Sequence, residues 1–234
     1  MPMSDKGKRA AAVVLAAAGA SLGVAGTASA ATVPATLSVN RPCYVTVGKT
    51  RPTMVVTGTG YIPGGPVVVS DQTGFFNETV TADATGAITA TGPAPVTFFS
   101  HPGEKADTIS ATDYAMNGNT YLGTAQTELS FLGVSASKTR RAHGLKALTF
   151  KTRWTFSGFP EGRFIYAHYL YGKKVVARQR FGRAHGPCGL LTVRKRLYPA
   201  RPHHRQYRLQ IDTRKKYSRR TSPRLVTKVG LQLF

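Results

Sequence analysis

Acidic side chains are scarce in this sequence, which has 10 Asp and Glu against 32 Lys and Arg and a formal net charge of +22. The scarcity is greatest after residue 133, where Glu161 and Asp212 accompany 25 basic residues. Hydrolysis by a pair of carboxylates would have only those two groups to use in that half.

Long apolar runs are also missing beyond the first 30 residues, so we expect no membrane span in the mature chain. No stretch keeps the 3.6-residue period of an amphipathic helix over three turns. Short runs rich in Val and Thr instead alternate with Gly, Pro, Asn and Asp, which predicts an all-β protein.

Residues 1–30 have the three parts of a cleaved signal peptide. A basic start at residues 6–9 precedes an uncharged stretch rich in Ala and Gly, and residues 28–30 (Ala-Ser-Ala) offer a cleavage site. We expect cleavage after Ala30 and a protein that is secreted or associated with the cell surface. A retained anchor helix is the alternative, but the uncharged stretch is at the short limit for a bilayer span.

The charge changes sign near residue 133. Residues 31–133 carry a net charge of −3, whereas residues 134–234 carry +23. So abrupt a shift marks a change of module, and each half is long enough for a small domain. We predict an N-terminal β-sandwich over 31–133 and a strongly basic C-terminal β-sandwich over 134–234.

Cysteine is nearly absent, with Cys43 in the first predicted domain and Cys188 in the second. In an oxidising compartment an even pair of cysteines forms a disulfide by default. We therefore predict a Cys43–Cys188 bridge between the domains; buried or intermolecular thiols are the alternative.

The candidate strands have the spacing of a sandwich in the first domain and an alternation of apolar with basic or polar residues in the second. Basic residues of the second domain are predicted to face solvent from strands or to lie in turns, and the predicted turn runs are 173–174, 194–196, 214–216 and 219–220. The candidate strands are 36–39, 44–47, 54–57, 67–70, 79–82, 87–91, 96–99, 108–112, 121–131, 148–156, 164–171, 207–212 and 225–233. Residues 83–86 and 117–118 are predicted hairpin turns.

Residues 58–65 read Gly-Thr-Gly-Tyr-Ile-Pro-Gly-Gly and lead into three consecutive valines. This segment resembles bacterial immunoglobulin-like surface modules, in which a Gly-aromatic-x-Pro-Gly turn precedes a Val-rich strand. With its Ala-rich signal and Arg-rich body, the chain resembles secreted actinobacterial proteins that carry such modules. The resemblance implies two tandem immunoglobulin-like β-sandwiches. A dinucleotide loop is disfavoured, because Pro63 and β-rich sequence follow where a phosphate-binding helix would begin.

Residues 185–189 read His-Gly-Pro-Cys-Gly and resemble the catalytic stretch of L,D-transpeptidases, wall-crosslinking enzymes with the motif Ser-His/Asn-Gly-Cys-aliphatic-Arg. The resemblance would make the Cys188 thiolate a nucleophile. The sequence departs from the motif, because Pro187 is inserted before the cysteine and Ala184 replaces the serine. We predict a non-enzymatic protein with Cys188 in a Gly-Pro turn, and the transpeptidase is the alternative.

We predict no metal site and no cofactor. His203 and His204 are adjacent, so in a strand they would point to opposite faces, and no cysteine or carboxylate follows at ligand spacing.

The positive charge of the second domain predicts a polyanionic partner outside the cell, because +23 on about 100 residues repels itself unless anions are near. We expect a wall polymer, an acidic glycan or an anionic lipid as the ligand; a surface that only keeps the protein soluble is the alternative. Arg would make bidentate contacts and Lys would add point charges. The candidate contacts are Lys173, Lys174, Arg178, Arg180, Arg194, Lys195, Arg196, Arg214, Lys215, Lys216, Arg219 and Arg220.

Nucleic acid is a less favoured partner. Five tyrosines could stack on bases, but the same residues suit a sandwich core and no nucleic-acid-binding motif is present. They are Tyr166, Tyr169, Tyr171, Tyr207 and Tyr217.

Overall fold

The computed structural model describes residues 34–97, 103–114, 120–137, 151–198 and 206–230. Within these ranges the chain forms strands, turns and bends but no helix. The described residues therefore contain no helix long and apolar enough to cross a membrane. The all-β prediction is confirmed. The predicted signal peptide, the turn at residues 117–118 and the two adjacent histidines lie outside the described residues.

The strands of the first half are β1 (Thr36–Val39), β2 (Cys43–Thr46), β3 (Thr53–Thr59), β4 (Pro66–Asp71), β5 (Asn77–Thr81), β6 (Ile88–Pro93), β7 (Glu104–Tyr114) and β8 (Thr120–Phe131). Those of the second half are β9 (Gly133–Ser137), β10 (Lys151–Ser157), β11 (Phe164–Tyr171), β12 (Lys174–Arg183), β13 (Leu191–Arg196), β14 (Gln206–Asp212) and β15 (Arg224–Gly230).

The first half is a sandwich of a three-stranded sheet, β1-β3-β6, and a five-stranded sheet, β2-β8-β7-β4-β5. The pairs are antiparallel except that β2 runs parallel to β8. Alternate residues of facing strands, such as Val56 of β3 and Val69 of β4, are fully buried in one core. The predicted turn at residues 83–86 is present, with the Asp83 carboxylate accepting hydrogen bonds from the backbone amides of Thr85 and Ala87.

The second half is a sandwich of a three-stranded sheet, β13-β10-β9, and a four-stranded sheet, β12-β11-β14-β15. A separate core lies between these sheets, and its aromatic centre places the Phe181 ring 4.9 Å from that of Trp154 and 4.7 Å from that of Phe156. This three-plus-four arrangement, with β12 beside β11, is that of a small immunoglobulin-like sandwich. The predicted immunoglobulin-like fold is confirmed.

Three predictions about strands were wrong. Arg194–Arg196 lie in β13 rather than in a turn, and Lys174 is the first residue of β12. Residues 96 and 97 are not in a strand. Gln210 and Asp212, which alternation places on the solvent side of β14, are buried at 3% and 0% exposure. Their burial results from a loop that folds back over the sheet.

The Cys43–Cys188 disulfide is present, with the two Cα atoms 5.5 Å apart across a sequence separation of 145 residues. Backbone hydrogen bonds accompany it, from Leu132 N to Thr46 O and from Gly158 N to Cys188 O, both 2.8 Å. The chain passes from the five-stranded sheet to the sheet of β9 between Phe131 and Gly133. The predicted domain limits themselves remain predictions.

Candidate functional site

One face of the four-stranded sheet is turned away from the core and is densely basic. Ile165, Ala167 and Tyr169 of β11 point into the core, so the residues between them point outward. Arg180 is the register partner of Tyr166 and Arg178 that of His168. We call the outer surface of β12-β11-β14-β15 the basic face.

The other strands add cations to the basic face by the same alternation. Tyr207, Leu209 and Ile211 are core residues of β14, which places Arg208 on the outer side. Lys228 of β15 is its register partner. Two like charges directly opposite each other on neighbouring strands are unfavourable unless an anion lies nearby.

The segment from residue 213 to residue 223, which we call the basic loop, lies across this face. The backbone oxygen of Arg214 lies 3.0 Å from His168 Nε2, and Arg178 donates a 2.8 Å hydrogen bond to the backbone oxygen of Lys215. Gln210 Nε2 donates to the backbone oxygen of Ser218 at 2.7 Å. These contacts are made to the backbone of the basic loop. The loop is therefore held in place without any contact from its cationic side chains.

Asp212 organises the polar cluster beneath the basic loop. Its carboxylate accepts hydrogen bonds from Arg214 N at 2.8 Å and from Gln210 Nε2 at 2.6 Å, and His168 Nε2 lies 3.4 Å away. Burial alone would raise the pKa of Asp212, but the hydrogen bonds from His168, Gln210 and the Arg214 backbone outweigh it and lower that pKa. The carboxylate therefore stays charged and continues to hold the loop.

The aromatic side chain of Phe164 supports two arginines on the basic face. The guanidinium carbons of Arg180 and Arg183 lie 5.0 and 4.5 Å from the centre of the Phe164 ring. The Tyr166 ring lies 6.3 Å from the same ring. Stacking on a ring limits the motion of a guanidinium while leaving its N–H edges for an anion.

None of the predicted contact residues, all of which the structure describes, forms an ion pair with a described carboxylate. Both acidic groups of the second half are engaged elsewhere. Asp212 is enclosed in the polar cluster, and Glu161 accepts a 3.1 Å hydrogen bond from the backbone of Gly186.

The structure divides the predicted contacts among three places. Arg178, Arg180 and the cations of the basic loop share the basic face. Lys173 and Lys174 lie at the turn between β11 and β12, at one end of that sheet. The run 194–196 lies on β13 of the opposite sheet, where Arg194 is paired with Arg153 and Arg196 with Lys151.

Sequence reasoning missed four cations on or beside the basic face, because each is separated from other basic residues. Alternation along the strands was the signal that could have found them. They are Arg183, Arg208, Arg224 and Lys228.

The segment that resembles a transpeptidase motif is a turn closed by backbone hydrogen bonds between His185 and Leu190, both 2.8 Å. Cys188 is 1% exposed and disulfide-bonded, so it offers no thiolate for nucleophilic attack. Glu128 lies close enough to Cys43 and Cys188 for the three to resemble a metal-ligand group, the only such group in the described ranges. The two sulfurs are bonded to each other and are not available as thiolates.

No family model matches the sequence, and no curated protein matches it. The fold is similar to that of a tetra-tandem repeat in the extending region of a large adhesion protein, at 15% identity and a TM-score of 0.28 over 85% of this chain and 49% of that one. It is also similar to a Ca2+-stabilized adhesin that helps an Antarctic bacterium reach out and bind ice, at 13% identity and a TM-score of 0.30 over 84% and 48%.

The E. coli chaperone DraB is a further similar structure, at 10% identity and a TM-score of 0.29 over 76% of this chain and 93% of that one. The chain spans about half the length of the two adhesin structures, 49% and 48%. Likeness at this level carries no argument about ligand or activity.

Proposed function

We propose that this is an exported, non-enzymatic binding protein whose basic face docks on an anionic polymer or surface of the cell envelope or extracellular matrix. The ligand would be a wall polymer, an acidic glycan or an anionic lipid. The observation that carries the proposal is the crowding of cations on one sheet face and one loop without carboxylate partners among the described residues.

Electrostatics supports a ligand for this face. Cations a few ångströms apart on a surface repel one another, and the nearest compensating charges must come from solution or from a partner. Asp212 is the acidic group closest to the loop, yet it is fully buried and used for hydrogen bonding. A polyanion would supply the missing counter-charge.

The basic loop is ordered in advance, which favours binding. Its backbone is hydrogen-bonded to Arg178, Gln210 and Asp212, so a ligand does not have to fix the loop as it binds. Preorganisation of this kind preserves affinity that would otherwise be lost to conformational entropy.

Export is supported by the disulfide between the halves, since such bridges form and persist in oxidising compartments. The first half, with net charge −3, would serve as a spacer or would contact a protein partner.

The proposal is tested by measuring the affinity of residues 31–234 for long-chain polyphosphate from 50 to 500 mM NaCl. We expect log affinity to fall linearly with log salt concentration, because each contacted anionic group releases a counterion. Neutral dextran is the control and should not bind. An affinity independent of salt, or no binding at 50 mM NaCl, would contradict the proposal.

A further inference from the structure

The turn between β11 and β12 exposes apolar side chains beside lysines. Tyr171, Val175 and Val176 are 54%, 41% and 45% exposed, and Lys173 and Lys174 lie between them in sequence. We call residues 171–176 the hairpin tip. Most other large exposed apolar residues of the described chain, such as Leu122 and Val226, are isolated in sequence.

The hairpin tip is formed by a tight turn and a bulge. Tyr171 pairs with Lys174 in the register, which leaves a two-residue turn, and Gly172 has a φ of +59°. Glycine with positive φ at the first turn position is what a type II′ hairpin turn requires. A register shift leaves Val176 as an extra residue between the pairs formed by Val175 and Ala177, and bulges of this kind redirect side chains at sheet edges.

The hairpin tip lies at the end of the second sandwich that is remote from the disulfide. At the other end of the hairpin, Gly162 N donates to Ala184 O, and Gly158 N donates to Cys188 O. From there β11 runs for 8 residues to the tip, a distance of about 26 Å at 3.3 Å per residue. The tip therefore lies far from the disulfide that joins the two halves.

More positive charge lies near the tip. The Arg208 guanidinium is 3.5 Å from the backbone oxygen of Gly172, and Lys228 is the register partner of Arg208. The tip thus combines an aromatic ring, two aliphatic side chains and a cluster of cations. Interfacial membrane contacts use this combination, with apolar groups at the acyl boundary and cations on the headgroups.

We infer that the hairpin tip inserts shallowly into a bilayer surface that contains anionic lipids. Val175, Val176 and the Tyr171 ring enter the boundary between headgroups and acyl chains, while Lys173 and Lys174 contact the anionic headgroups. A soluble polyanion would contact the lysines but would gain nothing from the valines. This inference rests on the proposed function and narrows its ligand to an anionic lipid surface.

The test compares residues 31–234 with two variants in sedimentation with vesicles at 100 mM NaCl. The vesicles are phosphatidylcholine alone or a 3:1 mixture with phosphatidylglycerol, and polyphosphate affinity is measured in the same buffer. The tip variant is Val175→Ser with Val176→Ser. The matched control is Val47→Ser with Leu122→Ser, which removes two exposed apolar side chains from the first half.

We expect the unaltered protein to sediment with the anionic vesicles and not with phosphatidylcholine alone. The tip variant should lose about tenfold in vesicle partitioning, since two apolar side chains no longer leave water, and should keep its polyphosphate affinity. The control variant should match the unaltered protein in both assays.

Each contrary result has a distinct meaning. Polyphosphate binding without vesicle binding would overturn the lipid inference and leave the proposed function standing, whereas binding to neither would overturn both. Equal partitioning of the tip variant and the unaltered protein would also overturn the inference. A Tyr171→Trp variant gives an independent readout, because insertion predicts quenching of the new indole by brominated acyl chains, and an unquenched indole would contradict it.

Discussion

The ring of His168 lies 3.4 Å from the carboxylate of Asp212, and both side chains are buried beneath the basic loop, at 1% and 0% exposure. Asp212 is one of the two acidic residues of the strongly basic second half. It holds the basic loop in place through hydrogen bonds and does not neutralise the exposed cations of that loop. The basic loop depends on this buried cluster for its position, and its outward charges remain available.

Replacing Asp212 by Asn should destabilise the protein by about 2 to 4 kcal/mol, because it removes a buried charge that accepts hydrogen bonds from His168, Gln210 and the loop backbone. Urea unfolding measures the loss, and hydrogen exchange should report faster opening of residues 213–223. The charge-matched control is Glu161→Gln, which should cost less than about 1 kcal/mol. Equal losses in the two variants would show that the cluster does not anchor the loop.

Glu104 should give the protein a pH dependence near neutrality. Its hydrogen bond with Glu128, together with burial and the Glu128 charge, raises the pKa of Glu104 from 4.5 to about 7. A carboxyl whose pKa is raised on folding binds its proton more tightly in the folded state, so stability is lost as pH rises from 4.5 to about 7.

Unfolding free energies measured from pH 4 to pH 8 should therefore fall less steeply for Glu104→Gln than for the unaltered protein. The difference should stay below about 1 kcal/mol, because Glu104 is exposed. Identical slopes would contradict the raised pKa of Glu104.

Substitutions at two glycines in the turn from His185 to Leu190, which contains Cys188, distinguish the cost of backbone strain from the cost of steric overlap. Gly186 and Gly189 have φ of +69° and +61°, but a Cβ would meet nothing within 4 Å at Gly186 and would overlap the backbone of Phe159 at Gly189. We expect Gly186→Ala to cost about 1 to 2 kcal/mol and Gly189→Ala to cost more than about 4 kcal/mol. Thermal unfolding checks both, and similar losses would argue against the close approach of Phe159.

Removing the disulfide in a Cys43→Ser, Cys188→Ser variant should lower the free energy of unfolding by about 5 kcal/mol, the chain-entropy value for a long closed loop. A reducing agent should destabilise the unaltered protein by the same amount and leave the variant unchanged. A reductant-insensitive unaltered protein would show that the bridge is absent in solution.

Alternation in the sequence was sufficient to predict strands in which apolar core residues recur at every second position, as in β10 and β14, whereas β11 was predicted from its aromatic residues. It failed for β12 and β13, because long exposed side chains dominate them and Phe181 is the one buried residue of β12. These strands form because β11 and β10 pair with them, which is a tertiary effect.

The candidate site was predictable in composition but not in arrangement. The excess of Arg and Lys is plain in the sequence, yet a run such as 194–196 is no more basic than 214–216 and lies on the opposite sheet. The burial of Asp212 could not be foreseen, since it depends on backbone oxygens of Arg214 and Ser218 that return to the sheet.

The central claim is that the position of the charges, and not their number, creates the binding face. Its most direct test is the polyphosphate affinity, at 150 mM NaCl, of two variants that each lose three positive charges. One is Arg214→Gln, Lys215→Gln, Lys216→Gln on the basic loop, and the other is Arg194→Gln, Lys195→Gln, Arg196→Gln on β13. The account predicts at least about a tenfold loss for the loop variant and a much smaller loss for the β13 variant. Equal losses would contradict it and would reduce the positive charge to a property of the whole surface.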